Sequence, residues 1–421
     1  MNRRAPVVLD RRDGKVRDDR GELLFVSPVL PDDGGNGLAM RGALFLRAFT
    51  RDWNVRLLVL DVFGVRERGG WPAATDGCAE IAIIRAEADP RLELIASIPD
   101  PAWRAAALAG YPLPRLAGAA TAAATQALGC LQQTRFARVH VFRLYMAPLV
   151  APLLGRARTS LDLDDDDART AASLAPILAA RGRLDEARVQ QAESPKWARL
   201  AADWAPRFDA VSLAAPDDAE RLGRTLPGVR TACIPNAVRM ARPLPPAPAG
   251  PPYTLLFVGT MGYAPNVDAA LLLAREVLPA LRSLTSTPLR LILAGGPAGE
   301  LQALAGTEGV VVTGRVEDLR PLYAQSHVVL APLRAGGGTR IKILEAMAHG
   351  RPVVATALGA AGLEAVDGEH LLISDHVPGL AAACRRLLGD PLLAQRLAVN
   401  GRALVARRYS RAVVTRAIRR L

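Results

Sequence analysis

The amino-acid sequence predicts an α/β protein made of two Rossmann-like domains, each built on a parallel β-sheet. The chain has 421 residues, more than a single hydrophobic core usually organises. Short apolar runs alternate with helical patterns along most of it, as in sheets built from strand, helix and strand units. The proline-rich stretch PLPPAPAGPP at residues 243–252 predicts a stiff linker between two halves of similar length.

These features divide the chain into five predicted segments. The first 21 residues are highly charged and contain no apolar stretch of the kind found in secretory signals, so we interpret them as a flexible tail. The full division is a tail (1–21), a first Rossmann-like domain (22–242), a linker (243–252), a second Rossmann-like domain (253–390) and carboxy-terminal helices (391–421).

Composition excludes several classes of protein. The net charge is +12, but the arginines are scattered and there are only three lysines, so nucleic-acid binding is not expected. The most apolar stretch, residues 116–131, is rich in alanine and contains threonine and glutamine, which favours a helix of a soluble protein over a membrane span. Four cysteines far apart in sequence indicate neither a zinc site nor disulfides, and we expect a cytoplasmic chain.

The first half opens with a strand, a glycine loop and a helix. Residues 23–27 are apolar, residues 28–37 contain three glycines, and residues 38–49 have an amphipathic helical pattern. The spacing is not GxGxxG, so the loop is either an ordinary turn or a site of close ligand approach at Gly35 and Gly37. Further strands are predicted at 55–62, 80–84, 138–143 and 207–213, and alanine-rich helices over 99–133. Within the 138–143 strand, His140 is interpreted as a structural core residue.

The second half alternates strands and helices regularly, which predicts a parallel sheet covered on both faces. Gly259 and Gly262 lie between a strand and a helix, where their backbone can approach a phosphate. Asn266 is predicted to cap that helix. The predicted strands are 255–258, 289–294, 310–313, 328–331 and 353–356.

The most specific pattern is GGGTRIKILEAMAHG at residues 336–350. Its glycines permit close backbone approach to a ligand, and a helix starting near Thr339 presents unpaired N–H groups to an anion. Arg340 and Lys342 add positive charge in the first turn. Glu345, one turn further, can accept hydrogen bonds from vicinal hydroxyls. The pattern indicates a site for a nucleotide diphosphate.

This stretch resembles the donor-binding segment of the retaining GT-B glycosyltransferases of family 4, the group 1 type. Three further segments resemble the same family in the same order: FVGTMGYAPNVDA (257–269), IPNA (234–237) and PDDGGNG (31–37). The resemblance implies a GT-B fold, in which two Rossmann-like domains face each other across a cleft. The first would bind the acceptor and the second the nucleotide sugar, and the carboxy-terminal helices would cross back to the first.

The resemblance also assigns residues to the site. Relatives often carry an arginine and a lysine where this chain has Thr260 and Asn266, so the charge of the diphosphate is expected to fall on Arg340 and Lys342. Relatives carry two glutamates with seven residues between them; Glu345 matches the second, and the first is replaced here by Gly337. The implied donor-binding residues are Gly259, Thr260, Val316, Gly336, Gly337, Gly338, Thr339, Arg340, Lys342 and Glu345, with Val316 against the nucleobase and Gly35 and Gly37 on the acceptor side.

The acidic run SLDLDDDD at residues 160–167 has three interpretations. Asp162 and Asp164 form a DxD pattern that can bind a metal ion, which we rank last because the rest of the chain resembles a different fold. In family relatives a histidine points into the cleft at this place, and Asp164 or Asp165 would stand in its position. In the third interpretation Asp165 to Asp167 begin the following helix and stabilise its dipole. We favour this for Asp166 and Asp167, and an active-site role for Asp164 and Asp165.

The resemblance therefore implies a retaining glycosyltransferase of the hexosyltransferase type. Asp164 and Asp165 would act on the acceptor side and Arg340 and Lys342 on the leaving diphosphate, without a metal or cofactor. Expected partners are a nucleotide sugar and a glycan or lipid-linked acceptor, in polysaccharide or lipid-linked glycan synthesis. Contact with an anionic membrane at its inner face is a further expectation. The alternatives are a nucleotide-sugar epimerase and a non-catalytic nucleotide-binding homologue.

Overall fold

A computed structural model describes residues 8–34, 36–62, 70–85, 89–120, 135–240, 242–297, 299–304, 306–337 and 340–421. The chain divides into two compact units. The first contains Met1–Pro235 together with Thr415–Leu421, and the second contains Asn236–Val414.

The first unit is organised around an eight-stranded sheet with the order β1-β4-β3-β2-β5-β6-β7-β8. All neighbouring strands are parallel except β1, which runs antiparallel to β4. The strands are β1 (Val8–Asp13), β2 (Glu22–Ser27), β3 (Asn54–Asp61), β4 (Cys78–Arg85), β5 (Arg138–Phe142), β6 (Arg158–Asp164), β7 (Ala210–Leu213) and β8 (Thr231–Cys233).

Helices connect these strands, as parallel pairing requires. The α-helices are α1 (Gly37–Phe49), α2 (Pro90–Ala96), α3 (Pro101–Gly110), α4 (Arg115–Ala120), α5 (Asp167–Ala180), α6 (Leu184–Trp204) and α7 (Pro216–Thr225). Short 3₁₀ segments occupy Ala73–Thr75, Leu144–Leu153 and Ala205–Arg207. Much of the alanine-rich region predicted to be helical, residues 121–133, lies outside the described residues.

The amino-terminal segment differs from the predicted flexible tail. Within residues 1–21, Val8–Asp13 form the edge strand β1, with Asp13 paired to Glu80 of β4. Arg11 Nη2 lies 2.9 Å from a carboxylate oxygen of Glu80. An edge strand can carry many charges because one of its sides faces solvent, so the charge that indicated a tail is equally compatible with a strand.

A buried ion pair joins α1 to the middle of the first sheet. Arg41 is 1% exposed and donates from Nε and Nη2 to the two carboxylate oxygens of Asp162 at 2.7 and 2.8 Å. Ser212 Oγ on β7 donates to the same carboxylate at 2.6 Å. These contacts connect α1, β6 and β7 through one fully buried carboxylate.

The second unit contains a six-stranded sheet with the order β11-β10-β9-β12-β13-β14, and every pair in it is parallel. The strands are β9 (Tyr253–Val258), β10 (Leu289–Ala294), β11 (Val310–Gly314), β12 (Val328–Ala331), β13 (Val353–Ala355) and β14 (Leu372–Ile373).

The helices of this unit are α8 (Ala264–Leu272), α9 (Leu278–Ser283), α10 (Arg320–Gln325), α11 (Ile341–Ala348), α12 (Ala357–Ala360), α13 (Val377–Gly389), α14 (Pro391–Leu404) and α15 (Arg411–Ile418). A 3₁₀ segment covers Gly299–Leu304, and π turns cover Leu273–Val277 and Val405–Tyr409. Along the chain, α15 spans the point where the second unit ends and the first resumes.

Hydrophobic clusters cover both faces of the second sheet, as the sequence predicted. Leu255 and Phe257 of β9 belong to the cluster that contains α8 and α13. The alternate residues Leu256 and Val258 belong to the cluster that contains α11. Successive side chains of a strand point to opposite faces, so the two clusters lie on opposite sides of the sheet. The predicted α/β class with parallel sheets is confirmed.

The proline-rich segment 243–252 lies within the second unit. Leu244 N donates to His349 O at 3.3 Å, and Arg351 Nη2 donates to Pro245 O at 2.7 Å. A nitrogen of the His327 ring lies 2.9 Å from Pro248 O. The segment is therefore fastened at three points to loops and helix ends of that unit. Among the described residues, no helix combines the length and apolar character that a membrane crossing requires.

The variant Arg41→Ala is expected to lower the free energy of unfolding of the first unit by about 3–5 kcal/mol, because it leaves a buried carboxylate without its charged partner. All five tryptophans lie within that unit, so urea unfolding followed by tryptophan fluorescence reports on it selectively. Arg47→Ala on the same helix is the control, because it removes an ion pair with Asp33 in which the two side chains are 42% and 30% exposed. This variant is expected to lower the free energy of unfolding by less than about 1 kcal/mol. An equal decrease in the free energy of unfolding in the two variants would contradict a dominant role for the buried Arg41–Asp162 pair.

Candidate active site

The candidate donor site lies at the carboxyl ends of β9 and β12, which are neighbours in the second sheet. The first loop follows Val258 and leads into α8, and the second follows Ala331 and leads into α11. Ligands of open parallel sheets bind outside the carboxyl ends of the strands. The two glycine-containing segments that the sequence assigned to the donor are thus brought to one edge of one sheet.

Two glycines are required by the close packing of these loops. Gly295, after β10, has a φ of 137°, and a Cβ there would lie 1.8 Å from Gly259 O. Gly336 has a φ of 104°, and a Cβ there would lie 3.0 Å from Tyr263 Oη. Both conformations are disfavoured for residues with a side chain. The glycine at 295 lets the loop after β10 pack against the backbone of Gly259, and the glycine at 336 leaves room for the Tyr263 hydroxyl.

Arg340 braces the glycine loop. It is 7% exposed and stands immediately before α11, where its Nη2 donates to Gly336 O at 2.8 Å and its Nη1 donates to Gly337 O. The same guanidinium donates to Leu358 O at 3.3 and 3.4 Å. The sequence assigned Arg340 to the diphosphate, but the geometry directs its donors to backbone carbonyls. In this geometry Arg340 positions the loop, and its direct contact with the diphosphate stays a prediction.

Lys342, in the first turn of α11, supplies a half-buried positive charge to the site. Its Nζ donates to Asn266 Oδ1 at 2.5 Å and lies 5.0 Å from the centre of the Phe257 ring. Burial, together with the charge of Arg340, lowers the pKa of Lys342 to about 7, while Glu345 opposes this shift. The hydrogen-bond partner is a neutral amide, which does not compensate an ammonium charge. Lys342 is thus suited to an anion that arrives with the ligand.

Asn266 has a different position from the predicted helix cap. Helix α8 begins at Ala264 with Tyr263 as its N-cap, so Asn266 lies inside the first turn. It is 6% exposed, and its Nδ2 donates to Thr260 O at 2.9 Å. The cap prediction is wrong because the side chain is directed at Lys342 and the preceding loop. The sequence did contain a signal for this role, because Asn266 lies in the segment where the resembled family often carries a lysine.

Glu345 is supported by two aromatic residues. Tyr323 Oη on α10 donates to Glu345 Oε2 at 3.4 Å, and the Tyr323 ring stacks on His349 with centroids 4.7 Å apart. Burial raises the pKa of Glu345, and the Tyr323 hydroxyl and Lys342 oppose the shift. Lys342 and Glu345 are three residues apart, so they share one face of α11. The sequence indicated Glu345 but gave no sign of Tyr323.

The remaining predicted donor residues occupy varied positions. Thr260 is exposed and follows Gly259 directly after β9, and Val316 is half-buried just beyond β11. Gly337 contributes its carbonyl to Arg340. Gly338 and Thr339 lie outside the described residues.

In the first unit, the acidic run reaches the carboxyl end of β6. Asp164 has a φ of 66° and Arg143, at the end of the neighbouring β5, has a φ of 77°. Left-handed backbone is costly for residues with side chains and is found more often at functional sites. One Asp164 oxygen lies 3.3 Å from Arg41 Nε and the other 3.5 Å from Arg143 Nη1. Burial raises the pKa of Asp164, while Arg41 opposes the shift.

The neighbouring carboxylates divide their roles as the sequence suggested. Asp165 accepts from Arg143 Nη1 at 2.8 Å. Asp166 is the N-cap of α5 and accepts from Arg169 N at 3.0 Å. Asp167 begins the helix and accepts from Arg143 Nη2. Capping therefore accounts for Asp166 and Asp167, and Arg143 holds the end of the run together.

The metal interpretation of the DxD pattern does not agree with the geometry of Asp162. Both oxygens of that carboxylate are hydrogen-bonded to Arg41 in the core, and the residue is fully buried. Asp162 and Asp164 are thus not placed as a pair of ligands. The sequence analysis did not identify Arg41 or Arg143 as partners of these carboxylates. The signal available in the sequence was that each arginine occurs within an apolar helix or strand pattern.

The other positions named in the first half are also located. Gly37 is the first residue of α1, where Asn36 caps the helix by accepting from Ala39 N at 3.0 Å. Gly35 lies outside the described residues. His140 is fully buried, with Nδ1 2.9 Å from Ser160 Oγ and its ring 4.8 Å from that of Phe45. Burial lowers the pKa of His140 well below its usual value, consistent with a structural role.

This architecture is that of the GT-B class. The structure is similar to sucrose-phosphate synthase from Thermosynechococcus elongatus, with 17% identity, a TM-score of 0.65, and coverage of 95% of this chain and 97% of that one. It is also similar to HepE from Anabaena in complex with UDP and glucose, with 13% identity, a TM-score of 0.61, and coverage of 95% and 98%. At these identities the similarity establishes the fold.

Sequence comparison identifies the family of the second unit. Residues 252–390 match the model of the Glycosyl transferases group 1 family. The chain is also 33% identical over 174 residues to a phosphatidyl-myo-inositol mannosyltransferase of Mycobacterium leprae, a match that covers 40% of this chain and 46% of that relative. The match thus spans less than half of the relative's length. The second unit is a group 1 glycosyltransferase domain on a GT-B fold, which confirms the family recognised in the sequence.

Arg340→Ala is expected to weaken binding of a nucleotide sugar by about tenfold or more, because it leaves buried loop carbonyls unpaired. Arg340→Lys keeps the charge but loses the planar fork that reaches several carbonyls. If Arg340 acts by bracing the loop, calorimetric titration should show both variants impaired. Affinity restored in the lysine variant would favour direct pairing with phosphate instead.

Binding of a nucleotide sugar is expected to take up a proton above about pH 7, because Lys342 has a pKa of about 7 in the empty site. An anionic diphosphate favours the ammonium form, so affinity should fall by up to about tenfold per pH unit above that value. Arg340 and Glu345 are the charged groups that act on Lys342. A nucleotide sugar is the suitable ligand since its diphosphate does not titrate near neutral pH.

Calorimetry at pH 8 in two buffers of different ionisation enthalpy should detect this proton uptake. Below about pH 7 the uptake should vanish, since Lys342 is already charged there. Lys342→Arg provides the matched control, as its guanidinium stays protonated throughout. Equal wild-type affinities at pH 6.5 and pH 8.5 would contradict the assignment.

Proposed function

We propose that this chain transfers a sugar from a nucleotide diphosphate sugar to an acceptor hydroxyl, with retention of the anomeric configuration. The observation that carries the proposal is the arrangement on α11, where Nζ of Lys342 lies 2.5 Å from Asn266 Oδ1 and Glu345 follows on the same face. A cation and a carboxylate one turn apart suit a diphosphate and the hydroxyls of its ribose. Gly336 and Gly337 bring backbone close to the same place.

The chemistry follows from charge development on the diphosphate. As the bond between the anomeric carbon and the phosphate oxygen breaks, its electron pair stays on the leaving diphosphate. Lys342 in its ammonium form and the positive end of α11 stabilise that charge. The acceptor oxygen bonds to the anomeric carbon from the same face, and its proton passes to an oxygen of the leaving phosphate. This scheme requires neither a protein nucleophile nor a metal ion.

On the acceptor side, Asp164 and Asp165 are proposed to orient the reacting hydroxyl. Arg41 Nε at 3.3 Å and Arg143 Nη1 at 3.5 Å fix the two oxygens of Asp164. Asp165 is fixed by Arg143 in turn. These carboxylates accept hydrogen bonds, so they favour a neutral polyol over an anionic group at this position. Gly37, at the start of α1, remains a proposed neighbour of the acceptor.

The comparisons support a nucleotide donor without naming it. HepE is described in complex with UDP and with UDP-glucose, and the mycobacterial relative is named as a mannosyltransferase of phosphatidyl-myo-inositol. We extend to this chain only the classes of ligand, a nucleotide diphosphate sugar and a glycan or lipid-linked acceptor. The place in polysaccharide or lipid-linked glycan synthesis, and a peripheral contact of the +12 chain with the inner face of an anionic membrane, are part of the proposal.

A non-catalytic nucleotide-binding protein is the second candidate. The observation that favours it is Gly337, which supplies no carboxylate and whose carbonyl is engaged by Arg340. A nucleotide-sugar epimerase would use the same diphosphate site. These alternatives differ in products: a transferase yields a glycoside, an epimerase a changed or free sugar, and a binding protein none.

A thermal-shift screen against UDP, GDP, ADP and their sugars, with and without EDTA, is the first test. We expect one nucleotide and its sugar to stabilise the protein equally in both conditions, and Lys342→Met to lose that stabilisation. Nuclear magnetic resonance of the product formed with the stabilising donor then gives the anomeric configuration. Stabilisation only in the absence of EDTA would overturn the metal-independent scheme. Binding without turnover of any donor would favour the second candidate.

A further inference from the structure

A pocket of about 120 Å³ opens in the first unit beside the acidic run. Its inner end is formed by Leu163 and Leu213, near the carboxyl ends of β6 and β7. Trp197 and Ala201 of α6 form one wall, and Leu222 of α7 contributes to another. This volume is smaller than the range of about 300–1,000 Å³ usual for sites of drug-sized ligands, so the pocket suits a narrow group such as a hydrocarbon chain. The function proposed above does not assign this pocket.

The walls are apolar because of the residues that α6 presents. Trp197 is 6% exposed and packs edge-on against Tyr145 with ring centroids 6.1 Å apart, so the indole forms a rigid surface. Ala198 and Ala202, also in the lining, are exposed and small. Because alanine side chains are short, they leave space next to the Trp197 ring that longer side chains would fill. Concave apolar surface of this kind is a common feature of ligand sites.

One end of the pocket is polar and continuous with the acceptor carboxylates. Asp165 and Asp167 belong to its lining. Arg143 contacts both of them and also lies 3.5 Å from Asp164. In the described part of the chain, Asp167 Oδ2 is buried without a hydrogen-bond partner. A ligand seated here would place hydrogen-bonding groups at the carboxylates and an apolar portion against α6.

We propose that this pocket binds the aliphatic chain of the acceptor, with the acceptor hydroxyls held at Asp164 and Asp165. The apolar wall and the acidic end match an amphiphile whose polyol head is joined to a hydrocarbon chain. A free, fully polar glycan would leave the Trp197 and Leu222 surfaces exposed to water. The inference rests on the proposed function for the role of the head group, but binding of the chain can be measured separately.

Alkyl β-glucosides with chains of six, eight and ten carbons are suitable probes, each used below its critical micelle concentration. Calorimetric titration of the full chain should give an affinity that rises by up to about fourfold for each added methylene buried in the pocket. Methyl glucoside should bind far more weakly. Trp197 lines the pocket, so its fluorescence should shift on binding of the long-chain probes.

Ala201→Phe fills the pocket and is expected to abolish the dependence on chain length. Ala202→Phe, at the exposed rim, is a second variant with less risk to folding. Gln191→Phe is the matched control, because it adds the same side chain to an exposed position of α6 outside the lining. Affinity independent of chain length in the wild type, or an unchanged dependence in both filled variants, would overturn the proposal.

The failures of the two proposals are distinguishable. The nucleotide-sugar thermal shift depends on Lys342 in the second unit, and the chain-length dependence depends on α6 in the first. Loss of the first result with retention of the second would reject the transferase and keep the pocket. The reverse would keep the transferase and leave the acceptor without an aliphatic chain in this pocket.

Discussion

The half-buried ammonium group of Lys342 is the constraint around which the donor loops of the second unit are arranged. Removing such a charge from water is unfavourable, and a neutral amide compensates it only in part. Asn266 therefore enters the first turn of α8 instead of capping it, and holds both Lys342 and the preceding loop. The guanidinium of Arg340 donates to the carbonyls of the glycine loop. The charge of Lys342 is thus available to an anionic ligand.

In the first unit the charges to be compensated are negative. Its acidic run places several carboxylates at the end of one strand, and two arginines from other elements compensate them. Arg41 pairs with Asp162 in the core, while Arg143 pairs with the half-buried carboxylates at the end of the run. The remaining acceptor capacity is suited to hydroxyl donors. One unit therefore offers a cation to an anionic ligand, and the other offers carboxylates to a neutral polyol, a division that agrees with a reaction between a diphosphate donor and a hydroxylated acceptor.

The sequence revealed what depends on local pattern. Apolar alternation located most strands, and the glycine-rich stretch before α11 led to Lys342 and Glu345. What it missed depends on contacts between distant positions. Arg41 and Asp162 are 121 residues apart, Tyr323 and Glu345 belong to different helices, and no local period connects them. Edge strand β1 was missed because its charges resemble those of a tail. The contacts of Arg340 with loop carbonyls were not predicted, because residue type indicates charge but not the direction in which a side chain points.

The division of the chain has a consequence for synthesis. The second unit is one continuous segment, whereas the first includes residues 415–421. In that last segment Ile418 is fully buried and Arg419 binds Asp52 through both oxygens at 2.6 and 2.8 Å. During translation, most of the amino-terminal sheet leaves the ribosome long before these residues do. The first unit therefore lacks the contacts made by residues 415–421 until the whole of the second unit has been synthesised. The part that is synthesised first is the part that is finished last.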